Sequence, residues 1–158
     1  MNRESIEQYI AGGQQLQDSV AGLTEAELTT VPSDGSWSIK QILVHMLDSD
    51  LVASDRMKRV IAENNPTLLA YDETAFANKL FYQEADTQLV LDLFRLNRLY
   101  TGAILRRLPD ETFSRVGQHT ETGEKSLEDL VVGYVEHLDH HLPFIYRKRA
   151  ALGNPFQA

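Results

Sequence analysis

Apolar residues recur at spacings of three and four along most of the chain, which is the periodicity of amphipathic helices. The pattern predicts four long helices, over about residues 3–21, 39–63, 87–108 and 127–152, and short helical turns at 25–28 and 74–78. No alternating strand pattern of useful length is present, and residues 66–85 form a long connection. The sequence therefore predicts an all-α fold, a four-helix bundle with a long crossover connection, in a single domain spanning residues 1–158.

Residues that start or weaken helices refine this prediction. Ser38 followed by Gln41 forms a capping box, in which side-chain and backbone groups satisfy each other at the helix start. Ser126 can cap the fourth long helix. Gly12 and Gly13 weaken the first helix locally, because glycine inside a helix costs about 1 kcal/mol relative to alanine.

Composition removes several classes of protein. The chain has no cysteine, which excludes disulfides, zinc–thiolate sites, iron–sulfur clusters and a cysteine nucleophile. A formal net charge of −8 argues against nucleic acid or an anionic membrane as the main partner. The first residues lack the pattern of a secretory signal, and no stretch approaches the roughly 18 apolar residues of a membrane span. We therefore expect a cytoplasmic protein with no membrane partner.

Five histidines are present, and three of them lie in the fourth predicted helix. Counting three and four residues along this helix gives an inward-facing line through Leu127, Leu130, Tyr134, His137, His141 and Phe144. His137 and His141 therefore share one face, one turn apart, an arrangement in which two imidazoles can bind the same metal ion. His140 falls on the outer side and is expected to be exposed.

His45 lies near the inward-facing stripe of the second long helix. A bundle can bring the middle of this helix against the middle of the fourth, so that three imidazoles converge. Three such ligands suit several divalent metals and leave coordination positions open for water or substrate. The spacing alone supports a metal site and ordinary core histidines about equally, because H-x-x-x-H recurs by chance. Leu138 stands where the metalloprotease motif H-E-x-x-H has the glutamate that acts as general base, which excludes that class.

Polar residues near these histidines are further candidates for the site. Asp50 follows His45 by just over one turn and can orient an imidazole, although an exposed position on the helix is the alternative. Arg56, together with Arg98 on the third long helix, can bind an anionic group of a substrate, and surface salt bridges are the alternative for both.

Three segments resemble successive blocks of the DinB-like superfamily, in its branch of metal-dependent hydrolases: WSIKQILVHMLDSD, NPTLLAYDETAFA and SRVGQHTETGEKSLEDLVVGYVEHLDHHLPFI. The combination of Trp-Ser before a histidine-bearing helix with a late H-x-x-x-H carries the resemblance. It extends from about Trp37 to Ile145, and the first helix contributes little to it.

The resemblance implies a four-helix bundle with a long crossover and a divalent-metal site whose ligands are His45, His137 and His141. The ion would be zinc, nickel, iron or manganese. Relatives often have a histidine at the place of His119, which implies a role at the rim of a pocket. They also often have aspartate directly after the first histidine of the late pair, and this chain has Leu138 there. At that position the chain therefore lacks the carboxylate that would orient an imidazole.

Two hypotheses of function follow. The first is an enzyme that uses the metal to activate water or a thiol against a small-molecule substrate, since the family includes transferases and isomerases that use low-molecular-weight thiols such as bacillithiol or mycothiol. The second is a non-catalytic, stress-related bundle that binds a metal or small ligand, and the absence of an obvious general base favours it. No motif for an organic cofactor is present. A homodimer is a further expectation.

Overall fold

Four long helices form the body of the protein in a computed structural model that describes residues 3–157. They are α1 (Glu4–Ser19), α3 (Ile39–Ala62), α5 (Thr87–Leu105) and α6 (Leu127–Ala151). The connections contain short helices and 3₁₀ turns: α2 (Glu25–Thr29), α4 (Glu73–Lys79), Tyr82–Glu84 and Asp110–Ser114. The predicted four-helix bundle is confirmed. None of the helices within these residues has the length and apolar character that a membrane crossing requires.

The order of the helices around the bundle differs from their order in the chain. Helix α1 packs against α5 and α6, and α3 packs against the same two helices. Therefore α1 lies diagonally across from α3, and α5 lies diagonally across from α6. Residues 63–86, between α3 and α5, form the long connection of the bundle.

The expectation of no strands is wrong for three short segments. Strand β1 (Thr67–Leu68) pairs in parallel with β2 (Val116–His119), and β2 pairs antiparallel with β3 (Gly123–Ser126). Strands of two to four residues are too short to show alternation, and the pairing of β1 with β2 joins residues about fifty positions apart. This small sheet fixes the long connection against the segment that precedes α6.

The inward face of α6 also differs in part from the prediction. Leu127 and Leu130 are buried as expected, but Phe144 is 36% exposed. Leu138, Leu142 and Ile145 instead continue the buried face toward the end of the helix. The real helix thus turns Phe144 toward solvent, since a helix of 3.6 residues per turn drifts away from a strict three-four count.

A fully buried ion pair at the centre of the bundle joins all four long helices. Arg98 of α5 donates from Nε to the Asp50 carboxylate of α3 at 3.0 Å. Its Nη1 donates to the Tyr9 carbonyl of α1 at 3.2 Å, and its Nη2 donates to the Tyr134 carbonyl of α6 at 2.9 Å. Asp50 also accepts hydrogen bonds from Asn97 and from the Tyr9 hydroxyl. Both sequence interpretations of Arg98 are therefore wrong, because its guanidinium is entirely buried and committed to these partners.

Gly12 makes room for this guanidinium. A Cβ atom at Gly12 would lie 2.2 Å from Nη1 of Arg98 and 2.7 Å from a methyl group of Leu138. The glycine that weakens α1 on propensity alone is thus required by the close approach of α5 and α6.

We expect Gly12→Ala to lower the free energy of unfolding by about 1–3 kcal/mol, because the added methyl displaces a buried arginine. The matched control is Gly133→Ala in α6, where a Cβ meets nothing within 4 Å. That change should raise stability by up to about 1 kcal/mol through helix propensity. Urea denaturation of both variants measures the difference, and a Gly12→Ala protein as stable as the parent would contradict the packing argument.

Candidate metal centre

Helix starts at the two ends of the bundle set the positions of the three candidate ligands. The capping box predicted at Ser38 is present: its Oγ accepts from the Gln41 backbone N–H at 3.1 Å, and its own N–H donates to the Gln41 side chain at 2.9 Å. Ser126 forms an equivalent box at the start of α6. His45 lies two turns into α3, whereas His137 and His141 lie three to four turns into α6. Because α3 and α6 pack together, the three rings meet inside the bundle.

The structure brings the three imidazoles into mutual contact. Nitrogen atoms of His45, His137 and His141, one from each ring, all lie within 4.8 Å of one another. The ring centroids are 4.7 to 5.3 Å apart. His45 is 2% exposed, and the other two rings are partly buried. His140 is exposed, as expected from the helix geometry.

The spacing of these nitrogen atoms fits a bound ion. Nε2 of His45 lies 3.4 Å from Nε2 of His137. Two imidazole nitrogens on one tetrahedral zinc, each at about 2.0–2.1 Å, are about 3.3 Å apart. Neutral imidazoles without thiolates form a donor set that also suits nickel and iron. Whether these residues bind an ion, and which ion, stays a prediction.

The surroundings keep all three imidazoles neutral near pH 7. Burial lowers the pKa of His45 to about 4. Burial, followed by the charges of the two neighbouring histidines, lowers the pKa of His137 to about 3. Burial and then the charge of His45 lower the pKa of His141 to about 4. A metal ligand must be deprotonated, so the free site is already in the protonation state that an ion needs.

The rings of His45 and His137 are positioned by packing against other rings rather than by hydrogen bonds at Nδ1. Nδ1 of His45 and Nδ1 of His137 are buried without a hydrogen-bond partner among residues 3–157. The ring of Trp37 packs 5.1 Å from that of His45, and the ring of Tyr134 packs 5.9 Å from that of His137. Leu138, where relatives often have aspartate, is a buried core residue. Aromatic contacts here take the orienting role that carboxylates and carbonyls often have around metal ligands.

Glu73 is a site residue that the sequence analysis missed. Its Oε2 lies 3.8 Å from Nε2 of His45, and its side chain is 59% exposed. It belongs to the first turn of α4, in the long connection, after an Asp72 side chain that caps the helix by accepting from the Ala75 N–H at 2.8 Å. The local signal was an N-cap before a short helix, but nothing in the sequence indicated that this helix folds over His45.

The other candidate residues take different places. Asp50 is buried in the central ion pair and bonds to Tyr9, Asn97 and Arg98 rather than to an imidazole, so the exposed alternative is wrong for it. Arg56 and His119 lie together with His137 on the wall of a small cavity of about 250 Å³.

A larger cavity of about 730 Å³ meets the histidine cluster at His141. Its walls are mostly apolar and aromatic, and they include Trp37, Ile39 and Phe144. Arg147 and Lys148 also line it, with the guanidinium of Arg147 4.6 Å above the ring of Phe144. Cavities of several hundred cubic ångströms with apolar walls and a few polar groups are typical of small-molecule sites.

Fold and site together define a helical bundle with a candidate metal centre of three histidines in its core. The chain belongs to the DinB superfamily, whose sequence profile matches residues 8–145. This confirms the resemblance found in the sequence and extends it into the first helix.

Relatives in that family agree with this assignment. The protein named "Putative metal-dependent hydrolase YfiT" of Bacillus subtilis is 32% identical over 139 residues, which cover 87% of this chain and 78% of that protein. A "Putative metal-dependent hydrolase" of Oceanobacillus iheyensis is 30% identical over 130 residues, covering 82% and 75%. The solved structure of Bacillus subtilis YfiT matches with a TM-score of 0.88 at 28% identity, covering 95% of this chain and 86% of that chain. That structure is described as having "an unusual four-helix bundle topology".

We predict that His45→Ala, His137→Ala and His141→Ala each weaken divalent-metal binding at least about 100-fold, because each removes one of three ligands. His140→Ala is the matched control, since His140 is exposed beside the same cluster. It should retain about one ion per chain. Metal content after zinc loading and gel filtration measures the outcome, and equal loss in all four variants would contradict the assignment.

We also predict that the metal-free protein loses stability on acidification, because the fold keeps these three histidines neutral. Their folded pKa values lie below the ordinary 6.5, so the unfolded chain binds protons first as the pH falls. The stability they contribute is present above about pH 6.5 and is lost between that value and about pH 3. His137→Gln should reduce proton uptake on unfolding by about one proton between pH 5 and 6.

The measurement is the slope of unfolding free energy against pH for metal-free protein. His140→Gln, changed at an exposed position, should leave that slope as it is in the parent. An unchanged slope in His137→Gln would mean that this imidazole is not kept neutral by the fold.

Proposed function

We propose that this protein is a metal-dependent enzyme that acts on a small molecule, either hydrolysing it or transferring a low-molecular-weight thiol to it. One observation carries the proposal: His141, one of the three clustered imidazoles, lines a cavity of about 730 Å³, so the cluster is not closed off in the core. A structural metal site is usually closed by four protein ligands, whereas a catalytic site keeps a position open.

The cavity wall favours an organic substrate with an apolar part. Trp37 and Phe144 offer aromatic faces, and Ile39 adds an apolar surface next to them. Such walls bind apolar groups by removing them from water. Arg147 and Lys148 place positive charge on the same wall, and Lys148 donates to the Ser36 hydroxyl at 2.8 Å. An ester, an amide or an electrophile with an apolar group fits this environment.

A bound divalent ion would supply Lewis acidity, which polarises a carbonyl group and lowers the pKa of water or a thiol. The chain's own contribution is to hold three neutral donors in place and to accept a proton. Glu73 is the group placed for that second task, because its carboxylate faces the histidine cluster from the solvent side. In hydrolysis it would take the proton of the attacking water and then return it to the leaving group. In thiol transfer it would take the thiol proton as sulfur bonds to carbon, and return it to the group whose bond to that carbon breaks.

Glu73 bears on the choice between an enzyme and a non-catalytic binding protein. The sequence offered no general base, which favoured the non-catalytic alternative. A carboxylate 3.8 Å from a candidate ligand supplies one. Both reactions would use the same residues, so the substrate, rather than the histidine cluster, would distinguish hydrolysis from thiol transfer.

We expect turnover in a screen of esters and amides alone, and of electrophiles together with low-molecular-weight thiols. Chelation should abolish that turnover, and added zinc, nickel, iron or manganese should restore it. Glu73→Gln should lower kcat by about 10²–10⁴-fold while leaving one ion bound, because it removes a proton acceptor and no ligand. The matched control is Glu84→Gln, an exposed glutamate in the same long connection, which should retain the parent rate.

Turnover that survives complete removal of metal would overturn the proposal. A Glu73→Gln variant that turns over normally would reject Glu73 as the base but leave the metal-centred mechanism in place.

A further inference from the structure

A second, smaller cavity approaches the histidine cluster from the side of His137. Its volume is about 250 Å³. Arg56 and Tyr134 line it, and so do His119 and Lys125 from the hairpin before α6. The large cavity meets the cluster at His141, so the two cavities reach the same centre from different sides.

Arg56 is a buried cation with only neutral partners. The residue is 8% exposed. Its Nε and Nη2 both donate to the Leu69 carbonyl, the former at 3.2 Å, and its Nη1 donates to the Tyr134 hydroxyl at 3.0 Å. A guanidinium carries five N–H groups, so two of them remain available. Among the described residues no carboxylate lies within ion-pairing distance of it.

The other buried arginines show how this fold usually satisfies such a charge. Arg98 has the Asp50 carboxylate and two carbonyls. Arg149 donates to the Ser19 and Ala21 carbonyls at the end of α1, which is the negative end of a helix dipole, and also to Asn154. Arg56 has neither a carboxylate nor a helix C-terminus. Burying a cation without a counterion is costly, and a cavity at its side lets a ligand provide one.

The remaining charges on the cavity wall leave an excess of positive charge. Lys125 adds a second cation, and His119 is neutral because burial and then the charge of Arg56 lower its pKa. Asp129 is the carboxylate on the wall, where it accepts from the Ser126 backbone N–H at 2.9 Å and from the Ser126 hydroxyl at 2.7 Å. Its charge offsets that of Lys125, so the excess positive charge corresponds to Arg56. The field inside the cavity is therefore suited to an anion.

We propose that this cavity binds an oxyanion, a carboxylate or a phosphate group, and that Arg56 is its principal contact. A planar guanidinium matches the two oxygens of either group. The inference rests on the proposed function in one respect, which is that the oxyanion belongs to the substrate. The charged end of the substrate would then lie against Arg56, on the His137 side of the histidine cluster.

The test measures anion binding in metal-free protein, so that neither turnover nor a metal contributes. Sodium malonate and inorganic phosphate are titrated separately at pH 7.5 and constant ionic strength, with binding followed by NMR. We expect saturable binding of one anion per chain. Arg56→Gln should weaken it at least tenfold, and Arg59→Gln should change it less than twofold. Arg59 is the matched control because it lies on the same helix, carries the same charge and is exposed.

A second variant covers the case in which Arg56→Gln does not fold, since that change also removes the bonds to Leu69 and Tyr134. Lys125→Gln leaves those bonds in place and should weaken binding about threefold. The tighter of the two anions indicates whether the group is a carboxylate or a phosphate.

The inference is overturned if the parent protein binds neither anion saturably, or if Arg56→Gln binds as the parent does. It is also overturned if Arg56→Gln fails to fold and Lys125→Gln binds unchanged. Anion binding without metal-dependent turnover would remove the proposed enzyme and leave this site, whereas turnover without anion binding would do the reverse.

Discussion

The position of the histidine cluster depends on one buried ion pair, Arg98 with Asp50. Burying two charges costs several kcal/mol per ion unless their remaining hydrogen bonds are satisfied, and here they are satisfied by groups from all four long helices. Asp50 follows His45 by five residues on α3, and the Tyr134 carbonyl precedes His137 by three residues on α6. Any rotation or shift of either helix would break a bond to this pair. The same contacts that satisfy the buried charges therefore fix where the imidazoles meet.

This arrangement explains how the candidate ligands are positioned although, among the described residues, the Nδ1 atoms of His45 and His137 have no hydrogen-bond partner. A helix held in register fixes the Cα–Cβ direction of each histidine, and the rings of Trp37 and Tyr134 then limit their rotation. Burial keeps the rings neutral, and among the described residues neither of the two buried Nδ1 atoms has a hydrogen-bond partner that would favour the charged form. Packing can thus give the geometry and the protonation state that a metal ion requires.

The long helices and the convergence of the histidines could be predicted from the sequence because their signals are local. Capping boxes mark helix starts, and the four-residue spacing of His137 and His141 fixes a common face. Glu73 could not be predicted, because α4 reaches His45 only after the long connection is fixed by pairing between β1 and β2. The role of Arg98 could not be predicted for a related reason. A charged residue on a helix indicates an exposed position unless a buried partner on another helix is known, and that partner is Asp50. Gly12 was the sequence feature that could have indicated this burial, since a glycine in the middle of a helix often marks the close approach of another helix or side chain.

The acidic composition of the chain and the positive character of its cavities are compatible, because they act at different distances. A net charge of −8 describes the outer surface, where exposed carboxylates repel a polyanion that must cover many residues at once. A small anion inside a concave site is governed by the groups on the wall, since low-dielectric surroundings strengthen their effect and salt screens them less. Each cavity wall carries two cations and one carboxylate, which leaves a small excess of positive charge: Arg56, Lys125 and Asp129 in the smaller cavity, and Arg147, Lys148 and Asp34 in the larger. A negative net charge over the whole chain is therefore compatible with the anion site proposed at Arg56.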